Sequence, residues 1–584
     1  MEELIYGILN SKKKKRKVIL YIVLAFLLSV MMIPTKIVLA KMLPGKSANT
    51  FSIYVDTATN SSIEETSKVT SCVLSYLKQE SAVHNAEVYL AQGAPLDYAG
   101  LVKGSALKRM KNQAEIVVNL SDKHSRDEAS YKMVHRIRPL IKKRCEPLVD
   151  STTIKFIEMP SGPPTFATVV VNLFGKESAL MRETAERIAK VFAETEGLVD
   201  IDIMQDDIYP YYEIVPDKEK VIRSGLSVEQ VNNILYIAFE GMIVAVKNSK
   251  IQQDQIPIFV RLDDASRLIH PNSRDGIYFK LSRLKLLNPM GMMIPIKEVV
   301  NVKEIPSSPT IFRKNLQNFV SITAECDLVS QVYPLMEARD KLIEKLSNDF
   351  NVTKVDGMST YMFDLNLVEK KTGNKMLLRW DGEMKVSLDT FRDLGGAFIA
   401  ALVLMFLLMV MYYKSFALSG IILLASFLSI IGVIVGHFIT DMISLLFADI
   451  NFFLTATSLI GFISLMGISA RSSLLLIDFS KALIEKGVEK RRAIAISTST
   501  RAKPILMTAV AIILGSLLLS TDPIFGGLGI ALIFGSIAST AVSLFLVPVL
   551  IDDTVAICPE GRDHKPHECE GGIEGHIDPE KIGL

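Results

Sequence analysis

The stretch FISLMGISARSSLLLIDF, Phe462 to Phe479, reads as a membrane-spanning helix except for one full positive charge, Arg471. An arginine near the middle of a bilayer costs about 2.5–3.5 kcal/mol on insertion scales, so a negative partner is expected. If Asp478 marks the end of the span, Arg471 lies seven residues further in, about 10.5 Å along the axis, against a hydrocarbon half-thickness of about 15 Å. Asp478 shares roughly the same helix face but sits two turns away, too far for a close pair unless the arginine reaches down.

Working outward, the 584 residues are 49% hydrophobic with a mean hydropathy of +0.31, which sets the chain apart from ordinary soluble proteins. Lys plus Arg number 65 against 63 Asp plus Glu, a balance that gives no reason to expect a nucleic-acid partner. Six segments approach the roughly 20 apolar residues that a crossing takes. They run from about Val18 to Ile33, Leu394 to Tyr413, Phe416 to Thr440, Ile450 to Ile477, Pro504 to Thr521 and Pro523 to Ile551. None of them contains an Asp or Glu in its interior, so no counter-charge for Arg471 is found in this sequence.

Basic residues stay on the cytoplasmic side. SKKKKRK, Ser11 to Lys17, therefore places the N-terminus inside, and the loop carrying Lys481, Lys486, Lys490, Arg491, Arg492, Arg501 and Lys503 falls inside as well. Residues from Lys41 to Asp393 are expected outside the cytoplasm, with both termini within it. The first span has no convincing cleavage site after it and reads as retained in the membrane. Cys72, Cys145 and Cys326 lie in the exported part and Cys558 and Cys569 in the tail, a scattered odd set that does not suggest a disulfide framework.

The exported part has the periodicity of α/β modules. FSIYVD, Ile63 to Glu80 and AEVYLAQ read as strand, helix, strand; AEIVVNL, Asp127 to Arg144 and TTIKFIEM repeat that order before PSGPP breaks the chain. The order restarts with TFATVVVNLFG, Ser178 to Glu196 and LVDIDIM. Its second half comes only later, as NFVSITAEC, Val332 to Asn348 and a strand near Val352 to Val355. The intervening segment, about Tyr209 to Ser308, reads as an insertion.

One span, two split modules with an insertion, then five spans is an order that resembles one half of a resistance-nodulation-division (RND) permease. The motifs that carry the resemblance are GLVDIDI, IFRKNLQNFVSITAE, SLIGFISLMGISARSSLLLIDF and RAKPILMT. The family usually joins two six-span halves in one polypeptide. Its first half carries paired aspartates in the fourth span, whereas ISARSS here resembles the second half, in which the basic residue is commonly lysine. The fold class implied is a six-span α-helical membrane bundle plus a large ferredoxin-like α/β periplasmic domain. The domain map is 1–40 for the N-terminus and first helix, 41–160 for porter module 1, 161–208 and 309–392 for the two parts of porter module 2, and 209–308 for a docking-type insertion. Residues 393–551 are the five remaining transmembrane helices and 552–584 a cytoplasmic tail.

The resemblance implies export of drugs or other amphiphiles driven by the proton gradient, without a bound cofactor, from the bacterial inner membrane. It also implies a trimer, a periplasmic adaptor and an outer-membrane channel. By the same route Arg471, Arg501 and Thr508 are proton-relay candidates, with Arg471 facing an aspartate of an N-terminal-type partner half. Two plainer readings stand beside this: Arg471 snorkels to the interface, and Arg501 is a positive-inside flank with Thr508 a packing hydroxyl. At the level of function the alternatives are a non-transporting membrane scaffold and an RND-related lipid or metal exporter.

Three weaker signals complete the reading. Cys558, His564, His567 and Cys569 could bind zinc or copper(I), but the spacing matches no standard finger and the Gly, Pro and Glu around them predict an unstructured tail. NPMGMMIPI, Asn288 to Ile296, clusters three methionines around what reads as a hairpin tip at Gly291. His437 is expected at the membrane interface. No nucleotide loop, catalytic triad or zinc-protease motif stands out.

Overall fold

A computed structural model describes residues 1–43, 45, 47–98, 100–159, 162, 165–251, 254–269, 273–328, 330, 332–355, 363–447, 452–554 and 557. The tail candidates Cys558, His564, His567 and Cys569 lie outside these residues.

The chain opens with a short helix, α1 (Glu2–Leu9), that buries Ile5 and Leu9, and continues into α2 (Lys12–Met31). The first module follows: β1 (Thr50–Asp56), α3 (Ile63–Leu77), β2 (Val83–Leu90), β3 (Gln113–Leu120), α4 (Ser130–Cys145) and β4 (Thr153–Ile157). Ser62 caps α3 and Glu65 completes a reciprocal capping box, which fixes where that helix starts. The strands form an antiparallel sheet in the order β2-β3-β1-β4. Ile53, Val55, Ile116 and Ile154 of the sheet meet Val69, Val73, Met133 and Ile137 of the two helices in one core, each large side chain contributing about 1.5–3 kcal/mol.

One expectation fails in this module. Cys72 of α3 and Cys145, the last residue of α4, form a disulfide with 5.8 Å between their Cα atoms. The spacing along the chain carries no such signal; the pair meets because both helices cover the same sheet. Closing a 73-residue separation contributes about 2–4 kcal/mol.

The second module begins with β5 (Val169–Phe174), α5 (Ser178–Ala193) and β6 (Leu198–Met204), and resumes with β7 (Gln317–Cys326), α6 (Val332–Leu346) and β8 (Phe350–Lys354). Two further strands, β9 (Leu365–Glu369) and β10 (Lys375–Asp381), were not anticipated. It is β10, not β8, that pairs with the second edge of β5, so β8 lies two strands further out. Trp380 of β10 stacks on Phe192 of α5, burying an aromatic pair where only β10 could supply one.

Residues Gln205–Thr310 form a separate compact unit. Strands Pro210–Pro216 and Val300–Pro306 pair antiparallel, and Val221, Val231, Ile277, Leu281 and Val302 make its core. Gly291, at φ +82°, turns the hairpin of Lys285–Leu287 and Met293–Pro295, as the sequence predicts. A second hairpin, Met242–Lys247 with Ile256–Val260, leaves Ile243, Val244, Val246 and Phe259 at least half exposed.

Among the described residues, five helices are long and apolar enough to cross a membrane: Gly382–Tyr413, Phe416–Leu446, Ala456–Glu485, Lys490–Leu519 and Gly526–Asp552. Numbered along the chain they are α7 (Gly382–Tyr413), α8 (Phe416–Phe427) and α9 (Ile430–Phe447) within one span, α10 (Ala456–Glu485) and α11 (Lys490–Leu519). The last span is α12 (Gly526–Ala541), a π-helical turn at Val542–Leu546, and α13 (Val547–Asp552). The junction of β10 with α7 requires glycine: Gly382 has φ +74°, and a Cβ there would lie 2.6 Å from the carbonyl oxygen of Ala167.

The fifth apolar segment does not begin at Pro504. Its helix starts at Lys490 and runs through the proline. Proline removes one backbone donor, but Ala502 and Ile505 on either side of it are buried against Leu544, and the helix runs on without a break. Arg501 is consequently inside a helix rather than on a loop.

Candidate functional site: an arginine without a counter-charge and an ionic cavity

Helix α10 buries Phe462, Leu465, Met466, Ser469, Ser473, Leu476 and Ile477, a face repeating at three and four residues. The opposite face exposes Ile460, Ser464, Gly467, Arg471 and Leu475. The small residues therefore divide into two sets. A Cβ on Gly461 would stand 2.8 Å from that of Ala531, and Ser473 contacts Ser543 Oγ at 3.3 Å, so these two pack inside the chain. Ser464 and Gly467 flank the arginine on the open side, with nothing within 4 Å of a Cβ placed on Gly467.

Arg471 makes no ion pair or hydrogen bond among the described residues. Asp478 does not reach it: the carboxylate accepts from the Tyr413 hydroxyl at 2.7 Å and from Tyr412 at 3.4 Å. Arg501 lies with its guanidinium 4.8 Å from the ring centre of Phe479, and its Nε is buried without a partner. The Thr508 hydroxyl donates to the Pro504 carbonyl at 2.9 Å. Among the described residues no hydrogen bond or ion pair joins Arg471, Arg501 and Thr508 to one another. His437, expected at the interface, is fully buried. Gly436 causes this: a Cβ there would lie 2.5 Å from that of Phe534, so α9 and α12 pack closely and close over the imidazole.

A second feature escapes any sequence pattern. Between the two modules lies a cavity of about 120 Å³ lined by Lys41, Lys103, Arg138, Glu158, Glu325 and Glu383, among others. Lys103 pairs with Glu325 at 2.6 Å, and Arg138 bonds Asp327 at 2.7 Å and Asp200 at 3.2 Å. Nearby, Lys155 bridges Asp56 at 2.9 Å and Asp202 at 2.5 Å. Module 1 thus offers the cations and module 2 most of the acids. Burial pushes the Asp56 carboxyl upward, but Lys155 and Lys108 outweigh it and hold the group well below the usual range.

Glu158 behaves oppositely. Burial raises its carboxyl to about 7, with Glu325 adding and Arg138 opposing. A folded-state value above the ordinary 4.5 means that the stabilising contribution is complete below about 4.5 and is lost as pH rises through about 7. The Glu158 side chain keeps 36% of its surface accessible to the cavity, so solvent weakens the effect. Glu158→Gln should abolish that part of the fall in melting temperature seen between about pH 5 and pH 8; a variant whose profile parallels the wild type would show that Glu158 titrates normally.

Residues 2–551 match the AcrB/AcrD/AcrF family. The chain belongs to that family. The RND family expected from the sequence is borne out by this match. The swarming motility protein SwrC of Bacillus subtilis is 25% identical over 391 residues, 65% of this chain and 32% of SwrC. The cobalt-zinc-cadmium resistance protein CzcA of Cupriavidus metallidurans is 24% identical over 411 residues, 68% of this chain and 34% of CzcA. The crystal structure of a heavy metal efflux pump superposes with a TM-score of 0.69 at 18% identity, over 94% of this chain and 51% of the pump. This family member thus spans about half the length of the solved pump and about a third of the two named relatives.

Proposed function

We propose that this chain works as the C-terminal-type half of a proton-driven RND exporter, with an N-terminal-type half supplying intramembrane aspartates from another chain or from another part of a longer polypeptide. The observation that carries the reading is Arg471, exposed on a membrane helix between small residues and making no ion pair among the described residues. In the working unit an aspartate of the partner half pairs with Arg471, and protonation of that aspartate releases the pair. Arg501 and Thr508 serve the same relay.

On this reading α2 is the first of six spans, its exposed Leu20, Leu24, Leu27 and Leu28 facing lipid, and both modules are ferredoxin-like porter subdomains. The domain map is the one the resemblance implies, with 209–308, inside the compact unit 205–310, as the docking-type insertion. The Cys72–Cys145 disulfide fits a periplasmic location for residues 41–393, since disulfides persist in oxidising compartments, and both termini are then cytoplasmic. The exposed apolar hairpin Met242–Lys247 with Ile256–Val260 suits insertion into a neighbouring copy of a trimer that meets an adaptor and an outer-membrane channel. The charged lining of the inter-module cavity favours a small ionic solute over a bulky apolar one.

The test is co-expression, in an efflux-deficient bacterium, of this chain with a half that carries adjacent aspartates in its fourth span. Tolerance to a panel of dyes, detergents and divalent metals should rise only when both halves are present and should vanish with an uncoupler. Equal tolerance from this chain alone would overturn the half-transporter reading, and no tolerance from the pair would favour a scaffold.

A further inference from the structure

We propose that the start of α2 and the apolar groove above it form a binding site for one anionic phospholipid, independently of whether the chain exports anything. The helix begins with six consecutive cations, Lys12 to Lys17. They are not equivalent. Lys15 turns inward and pairs with Asp552 and Asp553, while Lys12, Lys13, Lys14, Arg16 and Lys17 are exposed and make no ion pair among the described residues. Five unneutralised cations on one turn and a half of helix, next to an apolar span, attract anionic headgroups.

The groove gives the second half of the ligand. Ile19, Ile22 and Phe26 of α2, with Phe427 at the end of α8 and Leu546 and Leu550 of the last span, enclose about 240 Å³ with an entirely apolar lining. Ile19, Ile22 and Phe26 share one helix face; the same row continued backwards reaches the paired Lys15, with Lys12 and Arg16 exposed on its flank, where their long side chains can swing toward the groove. Arg16 is about 4.5 Å and Lys12 about 10.5 Å below Ile19 along the axis, and the groove climbs about 10.5 Å from Ile19 to Phe26. A phosphate held by Arg16 and Lys12 thus leaves its acyl chain at the mouth of the groove. A free anion would gain nothing from the groove, and a neutral lipid nothing from the cations.

The full chain, delipidated in detergent, is titrated with phosphatidylglycerol or phosphatidylcholine, and bound lipid is counted by native mass spectrometry. Phosphatidylglycerol should bind in about one copy and in clear preference to phosphatidylcholine. Lys12→Gln with Arg16→Gln should weaken phosphatidylglycerol roughly ten- to thirtyfold and leave phosphatidylcholine unchanged; both residues are exposed, and Lys13, Lys14 and Lys17 keep the basic flank. Lys12→Arg with Arg16→Lys should restore binding, and Ile22→Trp should block the groove to either lipid. Equal binding of the two lipids, an unaffected glutamine variant, or displacement of phosphatidylglycerol by inorganic phosphate would overturn the proposal. So would a co-purified partner half that excludes the lipid, since a protein helix would then be the occupant.

Discussion

In the exporter proposed above, Arg471→Ala should leave expression and co-purification with the partner half unchanged and should reduce transport to the level of cells lacking the pump. The two outcomes separate because the arginine serves the fold poorly and the relay well. Among the described residues of this chain Arg471 makes no ion pair, so removing it breaks no contact within the bundle, and the partner's aspartate left alone takes up a proton rather than remaining a buried charge. Helix α10 is held by its other face, through Phe462, Leu465, Met466 and Leu476. Without the cation, the partner's aspartate loses an interaction of about 3 kcal/mol, which is more than a hundredfold in the equilibrium that proton binding must switch. Arg471→Lys should keep a measurable fraction of activity, because it preserves the charge and loses only the forked donor geometry. Dye efflux from intact cells, with co-purification as the assembly control, measures both. Transport by the alanine variant at wild-type rates would return Arg471 to the snorkelling reading.

Asp552→Ala should lower the melting temperature of the purified chain by roughly 2–4 °C. Asp552 is fully buried at the end of the last span, where it pairs with Lys15 and lies 3.5 Å from Arg491 Nε. Lys490 Nζ meanwhile donates to the Asp552 carbonyl at 2.9 Å and the Thr554 carbonyl at 2.7 Å. Removing one carboxylate leaves Lys15 with only the half-exposed Asp553 and leaves Arg491 beside an empty position. Breaking a buried pair from one side costs about 3–5 kcal/mol, and here that loss frees the start of α2 from the far end of the chain. Lys15→Asp combined with Asp552→Lys should recover part of it. A single variant melting within about a degree of the wild type would show that apolar contacts of Ile5 and Leu9 hold the N-terminus without the ion pair.

Much of this architecture was legible because its signals are local. The alternation of FSIYVD and the helical spacing in Ile63 to Glu80 needed no neighbour to be read, and their strand and helix appear at Thr50–Asp56 and Ile63–Leu77. The reading slipped where burial overrode a local rule. Pro504 marks a helix end by its own chemistry, yet α11 runs through it with Ala502 and Ile505 packed on Leu544. Lys375 to Asp381 showed no need to be a central strand until β5 offered it an edge.

The sequence by itself determined that the chain carries apolar membrane helices and α/β modules, and that a cation sits in one of six apolar segments whose interiors hold no Asp or Glu. Each of those follows from side-chain period or charge within a single segment. Only the tertiary structure decided that Arg471 faces outward, that Lys15 alone among six cations turns inward to a residue 537 positions away, and that Lys103, Arg138, Glu158 and Glu325 share one cavity. Periodicity tells a segment which of its faces is apolar; it does not say which distant segment will cover that face, and the ion pairs of Lys15, Lys103 and Arg138, the Cys72–Cys145 disulfide and the cavity are made by such meetings.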